Sequence, residues 1–440
     1  MMKTRLFLTL AGLTVARLAP AALADDAPAP SGPLTLQAAV AAVLDRYPSI
    51  EAANAAIEAA QARTEQSQSV RLPQLGASAG YQFTSPRIFI SFGPTSFYQN
   101  AEDSYDARLT LHQLVSDFGR TRAAIDAARA GERSAADTLE QTRQQLGYAT
   151  IQDFYAVILL RQSVAVADEE IRALQEALRV AQNKFTNGTA TKFDVLTTQV
   201  RLANAENNRT DTLAALHKQE ALLRQLLGLE AATPLDLTGE FAAQPGLPDL
   251  SATLAGALQR RPEIRLAHDA EASAKLRLDA ADAADRPTLA ADVAGGLHDN
   301  TLPNLYDNKG YVAAGVSVSV PIFTGHRTEG ERREARADLR AAQARVSEAT
   351  RIITSDIETA LADLAASQAR LANADTLVAQ AEEALALAQT RYENGVITNF
   401  ELLDAQSAAR AAELTRLQAR YDCVLDRYAL AKAAGRPPLE

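Results

Sequence analysis

The sequence predicts a mostly helical chain with a smaller β component, built by internal duplication. Three observations carry this. Short landmarks recur in the same order at spacings of about 207 to 214 residues. The stretch 327–392 contains no proline and a single glycine, and good helix formers dominate it. Between the helical stretches lie short segments whose side chains alternate with period two, which argues for strands.

At the N-terminus, Lys3 and Arg5 precede an apolar run from Leu6 to Val15, and "ALA" stands before Asp25. This reads as a signal peptide over residues 1–24. The run is too short for a membrane-spanning helix, which needs roughly 20 apolar residues. No cysteine follows the expected cleavage site, so a lipid anchor is not expected. Removal of residues 1–24 takes Lys3, Arg5 and Arg17 but no acid, and moves the formal charge from −10 to −13. An acidic chain is a poor partner for nucleic acid. The lone Cys423 lies in a helical pattern and reads as a small packed residue.

The duplication is visible in paired words. "RYPSI" (46–50) matches "RRPEI" (260–264), and "RLPQL" (71–75) matches "DRPTL" (285–289). "SDFGRTR" (116–122) matches "PIFTGHR" (321–327). The Asn-Gly pairs ending at Gly188 and Gly395 lie 207 apart, as do Gly228 and Gly435. Early pairs are offset by 214, so the first half carries about seven extra residues between Pro73 and Gly119. The resulting division is a first repeat over 25–228, a linking segment over 229–250, a second repeat over 251–435 and a tail over 436–440.

Each repeat opens with a helical segment holding a proline near its start, Pro48 or Pro262. A hairpin of strands follows, at about 75–115 in the first repeat and 289–321 in the second. In "YVAAGVSVSVPIF", Val312, Ala314, Val316, Val318 and Val320 share a face; in "LGASAGYQF", Leu75, Ala77, Ala79, Tyr81 and Phe83 do. The segments run to roughly 9–11 residues, the length of a tilted membrane strand. Of the 23 Phe and Tyr residues, 11 fall within 81–118 and 306–323, about an eighth of the chain, as an aromatic girdle would require. Four strands cannot close a membrane barrel, because about eight is the smallest number. A soluble sheet with one buried face is the plainer reading; strands pooled from several subunits are the other. The extra residues around "SPRIFISFGPTSFYQNAED" are expected to lengthen an outward loop.

Each repeat ends in a long helical hairpin. About 66 residues from Arg327 give a rod of roughly 100 Å, and residues 120–185 repeat it. Rods of this length pack side by side rather than into a globular core. Asn187-Gly188 and Asn394-Gly395 read as left-handed helix stops. Thr191 with Asp194, and Thr398 with Glu401, read as capping boxes that restart the chain in reverse.

Paired strands between long helices, duplicated, with "VPIFTGHR" (320–327) leaving the last strand and "NGVITNFELLDAQ" (394–406) at the tip, resemble the TolC-like outer-membrane efflux proteins. The resemblance spans essentially the whole mature chain. It implies a homotrimer whose four strands per subunit make a twelve-stranded outer-membrane β-barrel in contact with lipid. A long periplasmic α-helical barrel continues it, with 229–250 and the chain ends forming a belt. It implies a passive exit duct of a tripartite efflux or type I secretion system. The tips then meet a periplasmic adaptor (membrane fusion) protein, itself joined to an inner-membrane pump of resistance-nodulation-division or ABC type. The family's aperture acids fall on Glu401 and Asp404, with Asp194 at the related place in the first repeat. Glu401 and Asp194 already serve the caps at Thr398 and Thr191, whereas Asp404 lies beyond the cap. Where some members carry an arginine in the turn, this chain has Ile397, so closure is expected to rest on packing and hydrogen bonds. Gly188, Thr189, Ala190, Gly395, Val396 and Ile397 form the exposed tips, either for adaptor docking or for packing between hairpins.

Two other classes fit the sequence less well. An enzyme finds little support: the five histidines are scattered, no HExxH pair occurs, and His268, Asp269 and Glu271 do not all share a helix face. No cofactor or metal is expected. A periplasmic coiled-coil scaffold or adaptor without a pore explains the helices but not the aromatic-rich strands.

Overall fold

The structure is a computed structural model that describes residues 33–241, 246–301 and 304–439. The expected signal peptide over 1–24 lies outside the described residues. The first repeat runs β1 (Leu34–Thr35), α1 (Leu36–Arg46), α2 (Pro48–Ser69), β2 (Gln74–Phe83), β3 (Phe89–Phe92), β4 (Thr95–Tyr98), β5 (Asp103–Ser116), α3 (Arg120–Thr186) and α4 (Lys192–Leu227). After β6 (Leu237–Thr238), the second runs α5 (Leu250–Arg260), α6 (Pro262–Asp282), β7 (Thr288–His298), β8 (Lys309–Ser319), α7 (Arg327–Glu393) and α8 (Asn399–Ala433).

The prolines divide the leading helical segments rather than merely opening them. Tyr47 and Arg261 are extended, and Pro48 and Pro262 stand at the first turn of α2 and α6. Proline fits there because its missing N–H is unpaired in any helix start. The 11-residue helices that precede them have their own caps. Thr35 Oγ1 accepts from Ala38 N at 3.3 Å, and Asp249 Oδ2 accepts from Ala252 N at 2.8 Å.

The strands of both repeats join in one antiparallel sheet, β2-β5-β7-β8. The register aligns Leu75 with Leu111, Leu111 with Val293, and Val293 with Ala314. One face is therefore apolar, and it is bare: Val312 is 82% exposed and Val316 72%. The opposite face is polar. There Arg108 Nε donates to Ser78 Oγ at 3.0 Å, and His112 Nδ1 lies 2.7 Å from Asp292 Oδ1. The plainer expectation of a soluble sheet with a buried apolar face is thus corrected, since no layer covers that face within the described chain. The outer strands β2 and β8 each leave an edge without a ladder partner among the described residues, and such an edge is a template for pairing with another chain. The first repeat's extra residues form a small antiparallel hairpin, with Phe89 opposite Tyr98.

Each sheet exit turns into a 67-residue helix through two consecutive left-handed residues, Phe118-Gly119 before α3 and Gly325-His326 before α7. The glycine occupies the second place in one copy and the first in the other, so the repeats share the turn but not the glycine that eases it.

The hydrophobic core lies where the short helices brace the long ones. Val40 and Val43 of α1 pack with Ile151, Phe154 and Val157 of α3, Leu223 of α4 and Val424 of α8. Ala257 of α5 and Ile264 of α6 pack with Ile353, Ile357 and Leu364 of α7. The two-residue strands β1 and β6 pair in parallel beside the first cluster. Among the described residues, no helix is long and apolar enough to cross a membrane.

Candidate functional site

The sites expected from the sequence sit at the end of the molecule remote from the sheet. At the first tip, Asn187 ends α3 and Gly188 takes φ +74°. Thr189 N and Ala190 N both donate to Lys184 O, at 2.8 and 3.2 Å, so the last turn leaves no buried carbonyl unpaired. Thr191 then caps α4. Its Oγ1 accepts from Asp194 N at 3.2 Å, and Asp194 Oδ2 accepts from Thr191 N at 2.9 Å. The second tip repeats these contacts. Gly395 has φ +69°, Val396 N donates to Arg391 O at 2.8 Å, and Thr398 caps α8. Glu401 Oε2 accepts from Thr398 N at 2.7 Å and from Thr398 Oγ1 at 2.8 Å.

The three acids differ in what they touch. Asp194 is half-buried and Glu401 exposed, and both are engaged in their caps. The Thr398 N–H and hydroxyl hold the Glu401 carboxyl below the ordinary glutamate range, and the charge of Arg391 adds to this. Asp404 lies one turn further along α8, exposed, and its carboxylate meets no cation or donor among the described residues. Of the tip residues, Gly188, Thr189, Gly395 and Val396 are exposed, whereas Ala190 and Ile397 are half-buried.

The two tips lie side by side. Lys184 Nζ stands 3.8 Å from the centre of the Tyr392 ring, tying α3 to α7. Asn399 is buried and its Nδ2 donates to Thr198 Oγ1 at 3.1 Å. Arg201 of α4 donates to Leu403 O at 3.1 Å and to Ser407 Oγ at 2.9 Å, with its guanidinium 5.4 Å from the Phe400 ring centre. In place of an arginine in the turn, an arginine on the other hairpin holds the first turns of α8.

Two features escaped the sequence reading. Arg201 is one of these, because its partners lie 202 and 206 residues away. The other is an exposed apolar stripe beside the first tip, formed by Phe193 at 69% exposure with Leu196 and Val200. Phe400 occupies the duplicated place of Phe193 and is exposed too. The signal was present as an i, i+3, i+7 pattern, which marks one helix face. Among the described residues no group of three or more His, Cys, Asp or Glu side chains is placed to hold a metal.

Comparison with known proteins gives a consistent result. A family model described as "Outer membrane efflux protein" matches residues 39–229 and 253–436. The outer membrane efflux protein BepC of Brucella suis is 27% identical over 335 residues, covering 74% of this chain and 71% of BepC. The alkaline protease secretion protein AprF of Pseudomonas aeruginosa is 24% identical over 331 residues, covering 73% and 67%. The crystal structure of the outer membrane protein VceC of Vibrio cholerae superposes with a TM-score of 0.78 at 22% identity, covering 91% of this chain and 96% of VceC.

Proposed function

The chain belongs to the outer membrane efflux protein family, and from that premise we propose that it is the exit duct of a tripartite efflux or type I secretion system. It resides in the bacterial outer membrane and extends into the periplasm. The observation that carries the channel reading is the sheet with a bare apolar face, a polar opposite face and two open edges. In lipid every backbone group must be paired, so a spanning sheet must close on itself. Three copies joined β8 to β2 close a barrel of twelve strands, with the apolar face to lipid and the face of Arg108, His112 and Asp292 to the lumen. Helices α3 and α7 carry the lumen on for roughly 100 Å.

At the far end the tips form the aperture. Three copies of Asp404, free of any cap, converge there and favour cations. Glu401 and Asp194 contribute their charge but are held by the caps. The bonds from Arg201 to α8 and from Asn399 to Thr198 keep the second hairpin against the first, and their release widens the mouth. A periplasmic adaptor docks on the exposed tips and on the stripe of Phe193, Leu196 and Val200. Burying one such side chain yields about 1.5–3 kcal/mol, so a few of them suffice for a reversible contact. An inner-membrane pump supplies the energy, and conduction through this chain is passive.

Native mass spectrometry of the detergent-extracted protein tests the assembly. The expected species has three times the mass of the chain and is insoluble without detergent. A monomer soluble in buffer would return the chain to the role of a periplasmic scaffold.

A further inference from the structure

We infer that the first repeat carries a binding site for the phosphate headgroup of an anionic phospholipid, at the junction of α2, β2 and α3. The inference rests on the outer-membrane reading, which places the helix-proximal ends of the strands in the periplasmic leaflet.

A cavity of about 540 Å³ opens between the end of α2 and the start of α3. Three guanidinium groups line it, from Arg71, Arg122 and Arg129. One carboxylate faces them. Asp126 Oδ1 is 3.2 Å from Arg129 Nη1, and its Oδ2 is 3.9 Å from Arg122 Nε. The Arg71 side chain meets no acid among the described residues. The cavity is therefore left with a surplus of positive charge. Its rim is apolar on the strand side, where Leu72 is largely exposed, and the buried Ile125 forms part of its wall.

The position suits a lipid headgroup. Gln113 continues the apolar-face series of Leu109 and Leu111 on β5, and its Nε2 donates to Arg71 O at 2.9 Å. Arg71 thus lies at the lower rim of the lipid-facing surface. Arg122 to Arg129 fall within roughly 3–14 Å of the start of α3. A bilayer about 30 Å thick in its hydrocarbon, and about 40–45 Å with headgroups, has its phosphates at the beginning of that span. Guanidinium groups recognise phosphate oxygens with paired, charge-assisted hydrogen bonds, and basic pockets beside membrane spans bind anionic lipid headgroups in other membrane proteins.

The duplication supplies an internal control. Helices α3 and α7 start 207 residues apart, so Glu329, Arg333 and Arg336 stand where the first repeat has Arg122, Asp126 and Arg129, and the spacing of 214 puts Asp285 where it has Arg71. There Arg332 closes on Asp285 at 2.5 Å and on Asp282 at 3.4 Å, and His326 lies 3.1 Å from Glu329. These four positions carry a formal charge of +2 in the first repeat and of zero in the second. A general basic belt would be present in both copies; a binding site specific to one copy matches what is seen.

The test is native mass spectrometry of the detergent-extracted assembly with phosphatidylglycerol, and with phosphatidylcholine of the same acyl chains. Arg71→Gln/Arg129→Gln is expected to retain about ten-fold less phosphatidylglycerol than the wild type, with phosphatidylcholine retention unchanged. Asp126→Asn, which removes the competing carboxylate, is expected to retain more, a gain that misfolding cannot imitate. Equal phosphatidylglycerol retention in the wild type and the arginine variant would overturn the site. Displacement of the lipid by equimolar inorganic phosphate would also overturn it, in favour of a free-anion site. Planar-bilayer conductance of the same preparations separates the two readings. Conducting wild type with arginine-independent lipid retention removes this site and keeps the channel, while intact assemblies that never conduct remove the channel reading itself.

Discussion

At the scale of single residues, the tips hold two capping boxes, in which Asp194 and Glu401 take part, the uncapped Asp404, and Arg201 bridging α4 to α8. Thr398→Ala is expected to cost about 1 kcal/mol, the usual value of a lost N-cap, read as a lower unfolding midpoint. The cap also carries a pH dependence. The folded Glu401 carboxyl titrates below its ordinary value of about 4.3. Its stabilisation is therefore complete above that value and is lost as pH falls through the lowered one. Amide-exchange protection of the first turn of α8 should fall over that acid window in the wild type and show no such step in Glu401→Gln. Arg201→Ala removes two hydrogen bonds from α4 to α8 and is expected to raise the leak conductance of the resting channel several-fold, with little change in ion preference. An unchanged leak would assign Arg201 to packing alone. The caps were legible in the sequence, because Thr and an acid three residues later are local words. Arg201 was not, because its role exists only once two hairpins some 200 residues apart in the chain lie together.

At the scale of elements, regularity decided what could be read. Helices α3 and α7 run to 67 residues each and were visible as long proline-free stretches. Strands β2 and β8 have 10 and 11 residues, enough for alternation to stand out. β3 and β4 have four residues each, within "FISF" and "TSFY", too short for a period to register. β1 and β6 have two residues each and pair across some 200 residues of sequence, so nothing local announces them. The split of α1 from α2 was half visible: the proline was seen, but the extended Tyr47 before it was not. The hairpin β3–β4 lies outside the four-stranded ladder. Its bonds at the base run from Ile88 N to Asn100 Oδ1 at 2.7 Å and from Ala101 N to Asn300 Oδ1 at 2.5 Å. Replacing residues 88–98 by a short glycine-serine loop is therefore expected to leave trimer assembly and conductance intact. Loss of the trimer on gel filtration would show that the hairpin takes part in closure.

At the scale of the whole molecule, the proposed duct needs more than one chain. Among the described residues its sheet has one apolar face, one polar face and two outer strands without a ladder partner, and its helices leave apolar side chains such as Val200 and Leu387 exposed. The sequence raised the possibility of strands pooled from several subunits, since four strands cannot close a membrane barrel, and the number three in the proposed assembly came from family resemblance. In the proposed assembly these strands and helices enclose a pore whose periplasmic mouth is ringed by Asp404. Single-channel recording in a planar bilayer tests it most directly, comparing the wild type with Asp404→Asn. The wild type should show discrete, cation-preferring steps and the variant a reduced cation preference, with equal thermal stability because Asp404 is exposed and meets no partner among the described residues. Steps that ignore the substitution would keep the pore and remove the acid ring, whereas verified, inserted trimers that pass no current would contradict the account.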